Sequence, residues 1–197
     1  MKDIYKEFIS FMGDSIKFSN VSEKEIKKYQ KVFMGPKDEV NIITEIWKNY
    51  GYCSYRNGLF SIINPEEYND YVKKFPSISN DAIAFAKSAS GCFFLWDKFN
   101  FGWAISHLNI HTGKTNILGS NFDMLFEWNL TSENFWREDC YGNIELEIVK
   151  KKISLEFDEC LTFMPALALG GEEKVSNMQK VKVKENLELL AQFYQKK

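Results

Sequence analysis

The sequence predicts an α+β fold with helices packed on one face of a mostly antiparallel sheet. Three observations lead there. Apolar residues recur at helical spacing through the first third of the chain. After Gly51 the period becomes that of strands, with Asn57-Gly58 set between two apolar runs. Helical spacing returns beyond Leu118. Helices therefore precede an antiparallel meander and others follow it. All 197 residues are expected to form one compact domain.

In order, the first helix is expected over Asp3 to Met12, where Ile4, Phe8, Phe11 and Met12 form one stripe and Gly13 offers a stop. Ser22-Glu23-Lys24-Glu25 is a capping box preceded by Val21. The helix it opens places Ile26, Tyr29 and Phe33 on one side and lysines on the other, until Gly35-Pro36 breaks it. A third helix is expected from Asp38 to Tyr50, with Gly51 as its C-terminal glycine. Tyr52 to Tyr55 and Leu59 to Ile63 then read as a hairpin. Asn64-Pro65-Glu66-Glu67 starts a short helix running to Lys74.

Strands are expected over Ala82 to Ser88, Cys92 to Asp97, Gly102 to Leu108 and Thr115 to Leu118. Helices are expected over Asn121 to Asn129, with Phe122, Leu125, Phe126 and Asn129 on one face, over Thr131 or Ser132 to Trp136, and over Asn143 to Leu155. Glu159 to Met164 reads as a strand and Pro165 to Gly171 as irregular. A last helix, from Val181 or Lys182 to Tyr194, turns Leu187, Leu190, Ala191 and Tyr194 inward.

Composition bounds the function. Hydrophobic residues make up 45% and charged residues 26%, the balance of a globular protein, while an aromatic content of 16% supplies both a thick core and candidate surface anchors. No run approaches the roughly 20 apolar residues of a membrane span, and the N-terminal pattern is amphipathic rather than that of a signal peptide. A cytoplasmic location is expected. Cys53, Cys92, Cys140 and Cys160 stand far apart, with no metal-ligand spacing, and read as reduced core residues. The formal net charge of −2 argues against nucleic-acid binding. Its distribution is uneven: 12 acids and 4 bases lie between Gly119 and Glu173, against 2 acids and 6 bases over residues 174–197.

A search for chemistry finds no catalytic, cofactor-binding or metal-ligating set. Gly170-Gly171 is followed by two glutamates, which repel phosphate. His107 and His111 span a strand end and a turn, where their four-residue spacing does not make a metal pair. Cys53 or Cys92 could meet His107 across the meander, yet nothing marks either thiol as activated. Glu138-Asp139 and Asp158-Glu159 are adjacent acids of the sort that solvent usually keeps. Lys150-Lys151-Lys152 lies among glutamates, and Lys174, Lys180, Lys182 and Lys184 alternate in a way that could track a phosphate backbone.

A whole-chain pattern carries a resemblance. Its pieces are Ile46-Trp47-Lys48-Asn49-Tyr50-Gly51, Gly58-Leu59-Phe60-Ser61-Ile62-Ile63-Asn64-Pro65-Glu66-Glu67-Tyr68, and Ala84-Phe85-Ala86-Lys87 leading to Gly91-Cys92-Phe93-Phe94-Leu95-Trp96. Phe163-Met164-Pro165-Ala166-Leu167-Ala168-Leu169-Gly170-Gly171 and the closing Asn177 to Gln192 follow. From about Lys37 onward the chain resembles the bacterial family that joins an N-terminal GAD-like domain to the C-terminal domain of type VI secretion immunity proteins. The GAD-like segment would cover residues 1 to about 118, and the immunity-type segment about 119 to 197.

The resemblance implies an immunity protein that binds and neutralises a cognate toxin, in the best-known case a DNase, encoded beside it. It implies no catalytic residues. An acidic patch from Glu133, Glu138, Asp139, Glu145, Glu172 and Glu173 would meet basic toxin residues, with Trp136, Phe99 or Phe101 as aromatic anchors. The alternative is a regulatory or scaffold module without a toxin partner.

Overall fold

The computed structural model describes residues 4–138 and 153–195. Its centre is a seven-stranded sheet whose strands lie in sequence order, every neighbouring pair antiparallel. The strands are β1 (Ile16–Ser19), β2 (Tyr52–Tyr55), β3 (Phe60–Ile62), β4 (Ile83–Ser88), β5 (Phe93–Phe99), β6 (Gly102–Asn109) and β7 (Lys114–Gly119). A separate antiparallel pair joins β8 (Glu159–Phe163) to β9 (Met178–Lys182). The expected α+β meander is the fold observed.

Before the sheet come α1 (Ile4–Met12), α2 (Glu23–Val32) and α3 (Lys37–Tyr50). The capping box of α2 forms as the sequence predicts: Glu25 N donates to Ser22 Oγ at 3.2 Å, and Ser22 N to Glu25 Oε2 at 2.9 Å. At the end of α3, Gly51 has φ +70°, and a β-carbon there would lie 2.2 Å from the carbonyl oxygen of Ser19. Only glycine allows β1 to come this close. Strand β1 itself carried no sequence signal, because all four of its residues are exposed and none alternates with a buried neighbour.

The β2–β3 hairpin pairs Cys53 with Ile62 and Tyr55 with Phe60. Its turn, Arg56–Gly58, holds three consecutive positive φ angles of 45°, 56° and 98°. Leu155 packs on this turn and donates its N–H to Asn57 O at 3.4 Å. Ile153 to Leu155 are therefore not helical; the rest of the helix expected over residues 143–155 lies outside the described residues. Asn64 caps α4 (Pro65–Val72), accepting from Glu66 N at 3.0 Å. Beyond it, the Ala84/Ala86 bulge in β4 is satisfied by Asn69, whose Oδ1 accepts from Ala84 N at 2.9 Å.

Helices cover both faces of the sheet, not one as the sequence reading expected. Cys92 to Trp96 are five consecutive fully buried residues, so neither side of β5 meets water. On one face Phe85, Phe94, Trp96 and Ile105 pack against α1 to α3 and against the Phe122 to Trp136 region. On the other, Ala84, Phe93, Leu95 and Leu108 pack against α4 and α7 (Val183–Tyr194). Both clusters draw side chains from before and after Gly119.

Candidate partner-binding site

The residues that sequence offered for catalysis are buried or ion-paired. His107, on β6, is fully buried beside the Phe94 ring, and burial pushes it down to about 4; His111 is likewise held down to about 4, with Nε2 2.8 Å from Ser90 O. Both are neutral at pH 7 and shut away from any substrate. Cys53 lies on β2, four strands from β6, and burial pushes its thiol up to about 11, opposite to the activation a nucleophile needs. Cys92 is also buried, with Ser90 Oγ donating to its sulfur at 3.5 Å. Asp158 and Glu159 each face lysine rather than sharing a proton: Lys182 is 2.9 Å from Asp158 and Lys180 is 3.2 Å from Glu159. Among the described residues no group of three or more acidic, histidine or cysteine side chains could hold a metal.

The buried histidines predict an acid-sensitive fold. An unfolded chain protonates its histidines near pH 6.5, whereas the folded chain resists until about pH 4. Between those values the unfolded state binds more protons, so this contribution is fully present above about 6.5 and is lost as pH falls through the window. Urea midpoints measured from pH 7 to pH 4 should drop, and the His107→Leu variant should drop less. An equal drop in the variant would remove His107 from the account.

What remains is surface. After β7 the chain enters a short α5 (Phe122–Met124) that continues as a π-helical turn, Leu125–Asn129, and then α6 (Glu133–Glu138). Leu130 N donates to Leu125 O at 2.9 Å, five residues back, so the inward position passes from Asn129, where helical spacing put it, to Leu130. The same turn leaves Trp128 pointing out, 66% exposed. Sequence reading missed Trp128 because a tryptophan beside Phe126 and Leu125 reads as core. Trp136, expected as a surface anchor, is instead 1% exposed. Its ring packs on Phe135 and reaches Phe60, and Nε1 donates to Leu130 O at 2.9 Å, so it is withdrawn from any partner surface.

The other expected contacts divide. Phe101, 69% exposed at the β5–β6 tip, stacks on half-buried Phe99 with centroids 5.4 Å apart. Glu133 is exposed, with its carboxylate 3.9 Å from Arg137. Glu172 and Glu173 are exposed, and Glu172 pairs with Lys174 at 2.6 Å. Asp139, Glu145 and the side chain of Glu138 lie outside the described residues, as does Lys150-Lys151-Lys152. The alternating lysines do not form a phosphate track. Lys174, Lys180, Lys182 and Lys184 each meet a carboxylate, the last at Glu67, 3.1 Å away.

Residues 3–109 match the family model described as GAD-like domain. The chain belongs to the GAD-like domain family. Residues 119–194, which include the exposed Trp128 and Glu133, match the model described as T6SS immunity protein Tdi1, C-terminal. Among solved structures the chain is similar to Atu4351 from Agrobacterium tumefaciens, with a TM-score of 0.72 and 20% identity over 95% of this chain and 88% of that one, a likeness of fold. No curated protein matches it.

Proposed function

We propose that this GAD-like protein is a type VI immunity protein, which neutralises a cognate toxin in the cytoplasm by stoichiometric binding. The observation that carries this reading is the match of residues 119–194 to an immunity-protein domain. The burial of every described histidine and cysteine agrees with a protein that acts by contact and not by catalysis. Among the described residues no helix is long and apolar enough to cross a membrane. The toxin is proposed to be a nuclease encoded by the adjacent gene, because the acid-rich stretch from Gly119 to Glu173 complements a surface built to attract phosphate.

The proposed contact surface combines Phe101, backed by Phe99, with Trp128, Glu133, Glu172 and Glu173. Aromatic anchors supply most of the affinity, while the acids speed encounter. Trp128→Ala and Phe101→Ala should each weaken the toxin complex by about 2 kcal/mol, chiefly through faster dissociation. Charge reversal at Glu133, Glu172 and Glu173 should slow association and flatten its salt dependence. Surface plasmon resonance across a salt series checks both. Unchanged rates in all these variants would move the interface elsewhere.

The proposal itself is tested by co-expressing the chain with the product of the adjacent gene. Restored growth together with a co-purifying complex is expected; toxicity that persists without a complex would refute it.

A further inference from the structure

We infer that the outer edge of β7 is a docking site, where an extended segment of the toxin adds an eighth strand to the sheet; this assignment rests on the immunity reading. A strand at the end of a sheet pairs on one side, and alternate residues turn their N–H and C=O groups outward. Such a row is matched in spacing and direction by the backbone of another strand, which identifies the occupant by its shape and not by its charge.

Among the described residues the two sheets have four outer edges, and three of them are blunted. Short strands, bulges, lysines and covering loops are the devices that keep an edge from recruiting another chain. β1 is four residues long, with Lys17 inside it and a register irregularity between Lys17 and Ser19. β8 meets the turn between β4 and β5, where Leu161 N donates to Ala89 O at 2.7 Å. β9 presents Lys180 and Lys182, both exposed and paired with acids. β7 differs. It is six residues long and carries one charge, Lys114, at its first position. Its register irregularity lies beyond Ile117, so Lys114 to Ile117 pair regularly with Ser106 to Asn109.

The side chains beside this edge are of the kind that a strand packs on. Ile117, 49% exposed, shares a sheet face with Ser106 and Leu95. Toward the other face, a β-carbon at Gly119 would lie 3.8 Å from the sulfur of the exposed Met124, and the π-helical turn that carries Trp128 lies against β7. An added strand would therefore set one residue beside Ile117 and run next to the Trp128 turn, which joins the edge to the contact surface proposed above. The residue opposite Ile117 is expected to be apolar or β-branched, the pairing that stabilises neighbouring strands.

The test is amide hydrogen exchange of the full chain, alone and bound to the purified product of the adjacent gene. Exchange across Lys114–Gly119 should slow about tenfold or more on binding, because the outward N–H groups gain partners, while β1 stays unchanged. Ile117→Asp and Ile117→Lys should each raise the dissociation constant about tenfold. A loss shared by both charges has no electrostatic origin, since an added acid would otherwise favour a basic toxin. Circular dichroism melting checks the fold, and if either variant melts early, the exchange of the unaltered chain still decides. A complex in which β7 exchanges as in the free chain, or folded variants that bind like the unaltered one, would overturn the edge assignment and leave the immunity reading standing. A dimer of the free chain that Ile117→Asp dissolves would give the edge to a second copy and overturn it as well. No complex and no growth rescue by the unaltered chain would refute the immunity reading and the edge assignment with it.

Discussion

Replacing Trp96 by alanine is expected to lower the free energy of unfolding by about 3–5 kcal/mol, the range for removing a fully buried large aromatic. Trp96 is wholly buried on β5. Its ring stacks on Trp103 at 6.0 Å and on Phe122 at 5.3 Å, and Nε1 donates to Met34 O at 2.8 Å. One side chain thus ties the α2–α3 connection, the sheet and the start of the C-terminal segment together. The Trp96→Phe variant, which keeps much of the ring area and loses the hydrogen bond, should cost about 1–2 kcal/mol. Denaturant midpoints with unchanged slopes measure both. A loss below about 1 kcal/mol for the alanine variant would mean that the cavity closes over.

Cutting the chain after Gly119 should abolish cooperative folding of both pieces, although the cut falls close to the border of two separate family matches. Phe126 packs on Phe8 at 5.1 Å, Phe135 on Phe94 at 6.2 Å and Phe122 on Phe85 at 5.2 Å. On the other face α7 supplies Leu187 and Leu190 to the cluster that holds Phe93 and Leu95. Backbone bonds add to this, with Leu161 N donating to Ala89 O at 2.7 Å. Residues 1–119 alone would uncover part of each apolar face of the sheet, where the Phe122 to Trp136 region and α7 now pack, and an area of that kind drives aggregation. The expected result is no cooperative melting and strong binding of a hydrophobic dye. A sharp two-state transition in residues 1–119 would show an autonomous N-terminal domain.

Much of the fold was legible because local chemistry decides it. Ser22 and Asn64 cap the helices they were expected to cap, and Asn57-Gly58 turns the hairpin. The misses have long-range causes. β1 is held by β2 and by the space that Gly51 leaves, without a buried stripe of its own. β9, Met178 to Lys182, blended into the helix after it because Val181 and Val183 continue the apolar spacing. The second covered face follows from α4 and α7 arriving from distant parts of the chain.

The candidate site was legible only in part, for the same reason. Phe101 lies at a turn between strands, where an aromatic has little to pack on, and it is exposed as expected. Trp136 sits among charges in sequence, yet Phe60 and Leu130 draw it inward. Trp128 is released by a π-helical turn that no spacing rule foresees.

The most direct measurement titrates the purified product of the adjacent gene, the proposed toxin, with the purified chain while following toxin activity. The account predicts that activity falls linearly to zero at a fixed molar ratio, in step with the heat of complex formation. Full toxin activity at saturating excess of this protein would contradict it.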